Sequence, residues 1–365
     1  MSDSPRPVRK VNIGGVDWDD AVASVEVEDH DRLIDQATIL LRDRVGASHD
    51  VVAQGQRVKI EMGWDDSHAV IFEGIVQRAS SSPGGDAREQ TVVAYDMSSK
   101  MHIHPDKRQT RGPGNLDGIV RAIVGSYGIP VGDIQADPNP HFEQLTPGPV
   151  TDWQFLQMLA VRYRARAFVE YNDGASKFYW ISEQKLAKQS AKTRLHCCSG
   201  FGREVIDFQH ERVSTTALPY RVAAVIDPSN GNPSPQVAPP VTPAAPPPSN
   251  DERQTAADAN GSGASYRAAV DAALASTADP TIAPQLSAAG LPSDPDLAAA
   301  LARPDPTQIR GFRARATVLG NIELRAKSKV NVQGVSSFID GDWYVRVARH
   351  VVANDTYQTA LVLTQ

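Results

Sequence analysis

The feature that most limits the fold of this chain is a regular alternation of polar and apolar residues. In the stretch 57–62, Val58, Ile60 and Met62 share one face and charged residues occupy the other. Successive side chains of a strand point to opposite faces, so the pattern predicts a half-buried strand. Similar runs predict five more strands, at residues 10–13, 22–28, 37–43, 69–77 and 90–96. Six short strands separated by turn signals favour a small antiparallel barrel or sandwich.

Helical spacing replaces alternation after residue 106. Apolar residues recur on one face between Leu116 and Tyr127, and Asn115 is a suitable N-cap. Thr151 and Gln154 predict a capping box at the start of a second helix. Two strands, 167–171 and 177–182, are predicted to flank the turn at 172–174. Residues 106–187 therefore form a predicted α+β domain.

Short strands resume towards the end of the chain. They are predicted at residues 193–198, 204–209, 220–226, 312–318, 321–326, 329–332, 343–347 and 359–363. The sequence thus predicts a mainly β fold with an α+β part. Residues 8–105 form one barrel domain, and residues 188–227 with 308–365 form a second.

A segment rich in proline and alanine, residues 228–307, interrupts the second barrel. Nine prolines lie between Pro228 and Pro248, and Tyr266 is the only aromatic residue between Arg221 and Gly311. Such a composition buries too little apolar surface to offset the entropy of ordering. We expect this insertion to be flexible or weakly helical, with possible helices at 266–275 and 295–302. A long surface insertion between paired strands costs little free energy.

The overall charge excludes some functional classes. The chain has 37 Lys and Arg against 43 Asp and Glu, a formal net charge of −6 and a pI near 5.9. A grip on phosphate backbones is not expected from this balance, so we predict no nucleic-acid partner. The N-terminus lacks the apolar region of a signal peptide, and no run of about 18 apolar residues occurs. These features predict synthesis in the cytoplasm and no membrane partner.

The candidate sites for chemistry are weak. His102 and His104 share a strand face, but no third ligand follows at a familiar spacing, so a metal site is not predicted. Cys197 and Cys198 lack a catalytic signature, and a structural thiol is the better interpretation. The acidic pairs Glu28-Asp29 and Asp65-Asp66, and the basic run Arg162, Arg164 and Arg166, are interpreted as solvated charge, the basic run alternatively as a contact surface. Nucleotide-binding and hydrolase motifs are absent. We therefore predict no catalytic, cofactor-binding or metal-binding residue and no cofactor.

Four groups of residues, in order along the chain, carry a family resemblance. The first is the hairpin at 55–76, with Gly63-Trp64 in its first strand and Phe72-Glu73-Gly74 in its second. Tyr95-Asp96 ends the next strand, and Thr151-Asp-Trp-Gln-Phe-Leu-Gln-Met-Leu-Ala160 opens a helix. His350 then precedes the strand of Tyr357. Together these groups resemble the phage baseplate hub family, also called the late control gene D family.

The resemblance implies two tube-like antiparallel β-barrels with an inserted α+β domain. It also implies a homotrimer that forms a pseudo-sixfold ring and joins a hexameric inner tube protein to a trimeric spike. Partners would be the tube, a separate spike protein and other baseplate proteins, in a phage virion or a contractile injection particle. The marked residues would then hold a scaffold. Phe72 and Phe155 are expected in the core, Asp96 and Asp152 as turn or capping residues, and His350 as a hydrogen-bonded residue of a barrel. We expect the loop at 44–56 to contact the tube, through Arg44, Val45, Ser48, His49, Asp50, Gln54 and Gln56.

Two other functions stay open at this point. One is a cell-wall-degrading enzyme carried in the same baseplate, which would require converging acids or a Ser/Cys-His pair in one pocket. The other is a barrel that binds oligosaccharides or oligonucleotides, which would require exposed aromatic residues for stacking. Aromatic residues make up only 6% of the chain.

Overall fold

The computed structural model describes most of the chain outside the Pro/Ala insertion. The described residues are 5–43, 51–84, 87–102, 111–147, 150–197, 204–212, 222–226, 233–237, 306–307, 311–337 and 339–365. They form two compact units. The first unit takes its residues from Met1–Ser182, Ala316–Ser328 and Val345–Val362, and the second from Glu183–Arg315, Lys329–Tyr344 and Leu363–Gln365.

The first hundred residues contribute seven neighbouring antiparallel strands to a larger sheet. The strands are β1 (Pro7–Ile13), β2 (Val16–Asp17), β3 (Val22–His30), β4 (Gln36–Asp43), β5 (Arg57–Trp64), β6 (Ser67–Gly84) and β7 (Ala87–Asp96). Their order in the sheet is β2-β1-β5-β6-β7-β4-β3. Two 3-10 helices, Asp19–Ala21 and Met97–His102, follow β2 and β7. All six strands predicted from alternation are confirmed, and β2 is an addition.

The α+β segment of the first unit follows. Its elements are β8 (Gly114–Asn115), α1 (Leu116–Gly125), β9 (Val131–Ile134), β10 (His141–Phe142), α2 (Asp152–Arg162), β11 (Ala165–Asn172) and β12 (Ala175–Ser182). Strand β12 lies between two neighbours: it pairs antiparallel with β11 and parallel with β9. The predicted capping box is present, because the Thr151 side chain accepts from the Gln154 backbone and Gln154 from that of Thr151. Both predicted helices and the predicted hairpin are confirmed.

The remaining elements lie near or after the insertion. They are α3 (Glu183–Lys188), β13 (Thr193–His196), β14 (Val205–Arg212), β15 (Val222–Ile226), β16 (Pro233–Val237), β17 (Phe312–Leu319), β18 (Lys329–Gln333), β19 (Gly341–Ala353) and β20 (Thr356–Thr364). In the second unit, β18 pairs parallel with β13 and antiparallel with the start of β19. In the first unit, the later part of β19 pairs antiparallel with β3, from Val347–His30 to Ala353–Ser24.

Two local predictions near the insertion were wrong. Residues 233–237 of the predicted flexible segment form β16, paired with β15. Proline is tolerated there because both strands of a two-stranded sheet are edges, with one side free of ladder bonds. Residues 321–326 form turns instead of a strand. The Asn321 side chain accepts from the Glu323 backbone N–H, a local bond that competes with strand pairing. The predicted helices at 266–275 and 295–302 lie outside the described residues.

Each unit has its own apolar core. In the first, alternate residues of the sheet, such as Val25, Ile39, Ile60 and Val92, are fully buried. In the second, the Trp343 ring is fully buried and contacts the rings of Phe208 and Phe312. The mainly β fold with an α+β part is therefore confirmed. The closure of two tube-like barrels and the domain boundaries stay predictions.

Gly63 and Gly74, which carry part of the family resemblance, are required by close backbone contacts. A Cβ on Gly74 would lie 2.2 Å from the Tyr95 carbonyl oxygen and 2.7 Å from the Phe72 ring. A Cβ on Gly63 would lie 2.2 Å from the Ser67 carbonyl oxygen, and its φ of +148° also favours glycine. Phe72 itself is buried at 3% exposure, as predicted for a core residue. These motif residues serve strand packing.

Candidate functional site

The first unit contains a group of interacting charged side chains in its interior, here named the buried charge cluster. Its members are Asp29, Asp35, Asp96, Arg325 and Lys327. The Asp29 carboxylate lies on β3 and is fully buried. It accepts hydrogen bonds from the Arg325 Nε at 2.7 Å, the Lys327 Nζ, and the Ala326 backbone N–H at 3.1 Å. One carboxylate thus fixes three consecutive residues of the loop at 321–328.

Asp35 and Asp96 extend the cluster on its other side. The Asp35 backbone N–H donates to Asp96 Oδ2 at 2.8 Å, and the Asp96 N–H donates back to the Asp35 carbonyl at 3.0 Å. Asp96 Oδ1 accepts from the Ser98 N–H at 2.6 Å, and Asp35 Oδ1 from the His30 N–H at 2.8 Å. Asp35 Oδ2 lies 3.6 Å from Lys327 Nζ. Asp96 is therefore the turn residue that the sequence predicted.

Lys327 is the centre of the cluster. Its ammonium also donates to the His30 carbonyl at 2.9 Å and lies 4.9 Å from the centroid of the Phe168 ring on β11. Its backbone is in the left-handed region at φ +63°, which is unfavourable for a residue with a Cβ. The side-chain contacts offset that cost. Arg325 reaches β11 as well, with its Nη2 atom 3.6 Å from Glu170.

Burial and charge act in opposite directions on these groups. For Asp29, burial alone would raise the pKa, but the charges of Lys327 and Arg325 outweigh burial and hold the pKa below its ordinary value. For Asp35, burial raises the pKa well above its ordinary value, and the nearby Asp29 and Asp96 charges add to that effect. For Asp96, burial raises the pKa to about 6. Burial alone would lower the pKa of Lys327, but the charges of Asp29, Asp35 and Glu170 outweigh burial and raise the pKa above its ordinary value.

A neutral network adjoins the cluster. His350 Nε2 lies 3.0 Å from the Leu324 carbonyl, which can only accept, so this nitrogen carries the hydrogen. Nδ1 then accepts from the Tyr357 hydroxyl at 2.9 Å and from the Thr359 hydroxyl at 3.1 Å. Burial, with the nearby Arg325 charge, lowers the pKa of His350 to about 4. The sequence prediction of a hydrogen-bonded scaffold histidine is confirmed.

A second group of ion pairs corrects the interpretation of the basic run. Arg166 is buried at 4% exposure, and its Nε lies 3.6 Å from Asp31 Oδ2. Arg346 approaches the same oxygen at 3.5 Å. The solvated interpretation was wrong for Arg166, because strand β11 places it on the buried side; Arg162, at the end of α2, is exposed. The same correction applies to Asp29, whereas Asp65 and Asp66 are exposed in a turn as predicted.

The hairpin of β11 and β12 is joined to the first sheet by polar contacts. Glu73 Oε2 on β6 accepts from the Ser176 hydroxyl at 2.7 Å and from its backbone N–H at 3.2 Å. The Lys59 ammonium lies 5.3 Å from the centroid of the Tyr171 ring. These two contacts hold the α+β segment and the first sheet together within one unit. Within the α+β segment, Asp152 at the start of α2 accepts from the Tyr127 hydroxyl at 2.8 Å.

The predicted tube-contact loop is described only in part. Arg44, Val45, Ser48, His49 and Asp50 lie outside the described residues. Gln54 is exposed, which suits a contact residue. The Gln56 side chain bonds within the loop instead, donating to the Val51 carbonyl at 2.8 Å and accepting from the Ala53 N–H at 3.0 Å. Gln56 therefore shapes the base of the loop.

The other candidate residues give no reactive site in the described part of the chain. His102 is an exposed residue beside the Trp153 ring, and partial desolvation lowers its pKa. Cys197 is buried, while His104 and Cys198 lie outside the described residues. No group of three or more His, Cys, Asp or Glu among the described residues is arranged to hold a metal ion. Within the described residues, no helix is both long and apolar enough to cross a membrane.

Of the buried charge cluster, the sequence analysis assigned a structural role only to Asp96. It interpreted Asp29 as solvated charge and did not identify Asp35, Arg325 or Lys327. One signal was available. In β3, Val25, Val27 and Asp29 are buried while Glu26 and Glu28 are more accessible, so Asp29 occupies an inward position of the alternation. An acid at such a position predicts a buried cation, because an isolated buried carboxylate is too costly. No local pattern points to Lys327 as that cation, since it is almost 300 residues away.

Comparison with solved structures gives matches over nearly the whole chain. A tail protein from Neisseria meningitidis has a TM-score of 0.65 at 13% identity, with 99% of this chain and 96% of that chain covered. The 43 kDa tail protein of prophage MuSo2 from Shewanella oneidensis has a TM-score of 0.62 at 11% identity, with 98% and 97% covered. This chain has the fold of phage tail proteins.

A third structure extends the likeness beyond phages. It is an Escherichia coli component of the type VI secretion system, described as structurally similar to tail proteins of bacteriophage T4. Its TM-score is 0.56 at 10% identity, with 97% of this chain and 76% of that chain covered. The resemblance indicated by the sequence motifs is thereby confirmed at the level of the fold. No family model matches this sequence, and no curated protein sequence matches it either.

Proposed function

We propose that this chain is a structural, non-enzymatic baseplate hub of a phage tail or a related contractile injection system. The observation that carries the proposal is the end-to-end likeness to tail proteins, with 99% of this chain aligned to 96% of the Neisseria protein. Because the alignment covers nearly all of this chain, few described residues remain outside the shared fold that could form a separate catalytic domain. Fold alone does not fix function, so the polar sites must also be considered.

The polar sites support a structural role. Three carboxyl groups converge in the buried charge cluster, which is enough to supply the two carboxyl groups that a glycoside hydrolase uses. Asp29, Asp35 and Asp96 are, however, at most 5% exposed, and Lys327 and Arg325 occupy the space between acids that a substrate would need. A glycosidase needs room for a sugar between its two carboxyl groups. The cluster instead joins β3, β7, β11 and the loop at 321–328.

In this role, three copies of the chain form a ring with pseudo-sixfold symmetry. The ring joins the hexameric inner tube to the trimeric spike, and further baseplate proteins bind around it. A closed ring uses one heterologous interface repeated three times. The chain is made in the cytoplasm and becomes part of the particle.

The solution mass of the purified chain tests the ring. Light scattering after size exclusion is recorded for the chain alone, with the tube protein and with the spike protein of the same particle. We expect three copies of the 39.4 kDa chain, either alone or once the spike protein is added. A monomer that binds neither protein would contradict the proposal.

The loop at 44–56 is proposed to contact the tube. Val52 is buried and Gln56 holds the base of the loop, so the informative change replaces residues 44–50 with a Gly/Ser linker of equal length. We expect an unchanged mass and loss of tube binding in a pull-down assay. The matched control changes Asp65 and Asp66, in another exposed turn, to serine and keeps tube binding. Equal binding by both variants would overturn this assignment.

A further inference from the structure

The buried charge cluster contains more acids than bases. Asp29, Asp35 and Asp96 face two cations, Lys327 and Arg325, and Glu170 lies at the edge beside Arg325. If every acid were ionised, the group would carry a net charge of −2 in a region with little access to water. Coulomb repulsion at such distances is strong in a protein interior, so uptake of a proton is favoured.

The geometry indicates which acids hold a proton. Asp29 accepts three hydrogen bonds and lies against both cations, so its charge is compensated. Asp35 and Asp96 are instead linked by the hydrogen bond from the Asp35 N–H to Asp96 Oδ2, and Asp35 lies 3.6 Å from the Lys327 ammonium. The two carboxyl groups titrate together, so the proton belongs to the pair.

The loop at 321–328 contacts this pair through Lys327, whose ammonium lies 3.6 Å from Asp35. Lys327 reaches into the cluster from a left-handed backbone conformation, and Arg325 and Ala326 bond Asp29. Ser328 is the last residue of this loop, and Lys329 is the first residue of β18, in the second unit. The cluster therefore holds the segment at which the chain leaves the first unit.

We propose that Asp35 and Asp96 form a pH-sensitive latch: the loop at 321–328 is held closed while the pair keeps its proton, and opening becomes easier when the proton is lost. The sign follows from linkage. Because burial raises the pKa of both acids, the closed state binds more protons than an open, hydrated state. A rise in pH therefore favours opening. This inference does not depend on the proposed function.

Other titratable groups face the latch and must be separated from it. They are Asp29, Arg325, Lys327 and Glu170, with His350 and Tyr357 in the adjoining network. His350 acts in the opposite direction, because burial lowers its pKa to about 4 and opening would let it take up a proton. The pKa of Asp29 is held below its ordinary value, so Asp29 contributes to the pH dependence only below about pH 4. A comparison of two variants at the same pH cancels both contributions.

Hydrogen–deuterium exchange by mass spectrometry tests the latch on the full chain. Protection of peptides that cover residues 320–328 is measured from pH 4 to pH 8 in the wild type and in Asp96→Asn. The protection factor of the wild type is divided by that of Asp96→Asn at each pH. This ratio cancels the intrinsic exchange rate and the effect of His350. We expect this ratio to fall by up to about a hundredfold between pH 4 and pH 6, since the pKa of Asp96 rises from 3.8 to about 6.

The controls decide the outcome. Glu89 lies on β7 with Asp96, in a solvent-accessible pair with Arg42. The ratio of wild-type protection to that of the control variant Glu89→Gln should therefore not change with pH. Asp35→Asn provides the same test if Asp96→Asn does not fold. A change of more than threefold that is absent from Glu89→Gln supports the latch. A change of less than threefold in the Asp variant overturns it.

Discussion

Two sets of ion pairs in the first unit show how little distance alone says about stability. On its accessible surface, Arg349 binds Glu26 through two bonds of 2.6 and 2.5 Å. Inside, the Lys327 ammonium is buried between Asp29, to which it donates a hydrogen bond, and Asp35, which lies 3.6 Å away. Exposed pairs contribute about 0–1 kcal/mol, whereas removal of one partner of a buried pair costs about 3–5 kcal/mol. Burial, and not bond length, should therefore set the size of mutational effects in this molecule.

The largest effect is expected for Lys327→Met. The substitution keeps most of the side-chain volume but leaves Asp29 without its ammonium partner and removes the cation that lies 3.6 Å from Asp35. We expect the free energy of unfolding to fall by about 3–5 kcal/mol, as measured by urea denaturation. The control is Lys10→Met, at the exposed pair with Glu61 at 3.2 Å, which should lose less than about 1 kcal/mol. Equal losses would refute the comparison.

Replacement of His350 tests the neutral network beside the cluster. Its folded-state pKa of about 4 lies below the ordinary value of 6.5, so its contribution to stability is present above pH 6.5. That contribution is lost as the pH falls to about 4, and it amounts to about 3 kcal/mol over this window. We expect the difference in unfolding free energy between wild type and His350→Gln to shrink by about this amount over the same window. A constant difference would show that His350 does not titrate on unfolding.

Asp96→Asn should have an effect of opposite sign. Because burial raises the pKa of Asp96 from 3.8 to about 6, its carboxyl group favours the folded state most at low pH. The wild type should lose up to about 3 kcal/mol relative to the variant as the pH rises from about 4 to about 6. The measurement is a set of urea denaturation curves across this range. Parallel pH profiles would mean that folding does not raise the pKa of Asp96.

The smallest effect is expected for Arg349→Ala. The Arg349–Glu26 pair has two short hydrogen bonds, yet both side chains are in contact with water. We expect a loss below about 1 kcal/mol, reduced further in 1 M salt because screening shortens the range of the interaction. Thermal or urea unfolding at low and high salt measures it. A loss as large as that of Lys327→Met would show that burial does not set the size of the loss in unfolding free energy.

The same contrast explains what could be predicted from the sequence. Alternation located the six main strands of the first sheet, and the Thr151–Gln154 spacing located a capping box, because these signals are local. Gly74 and His350 were recognised through the family resemblance. The buried charge cluster was not predicted, since its parts come from residues 29, 35, 96, 325 and 327. Only the fold brings such distant residues together, and the turns that place Lys327 were mistaken for a strand.

Particle images test most directly the proposed role of this chain as a symmetry adaptor. Class averages from electron microscopy would be collected for the chain bound to its tube protein. We expect a ring of three copies whose tube-facing side shows six similar densities. A ring of six copies, or no ring on the tube, would contradict it.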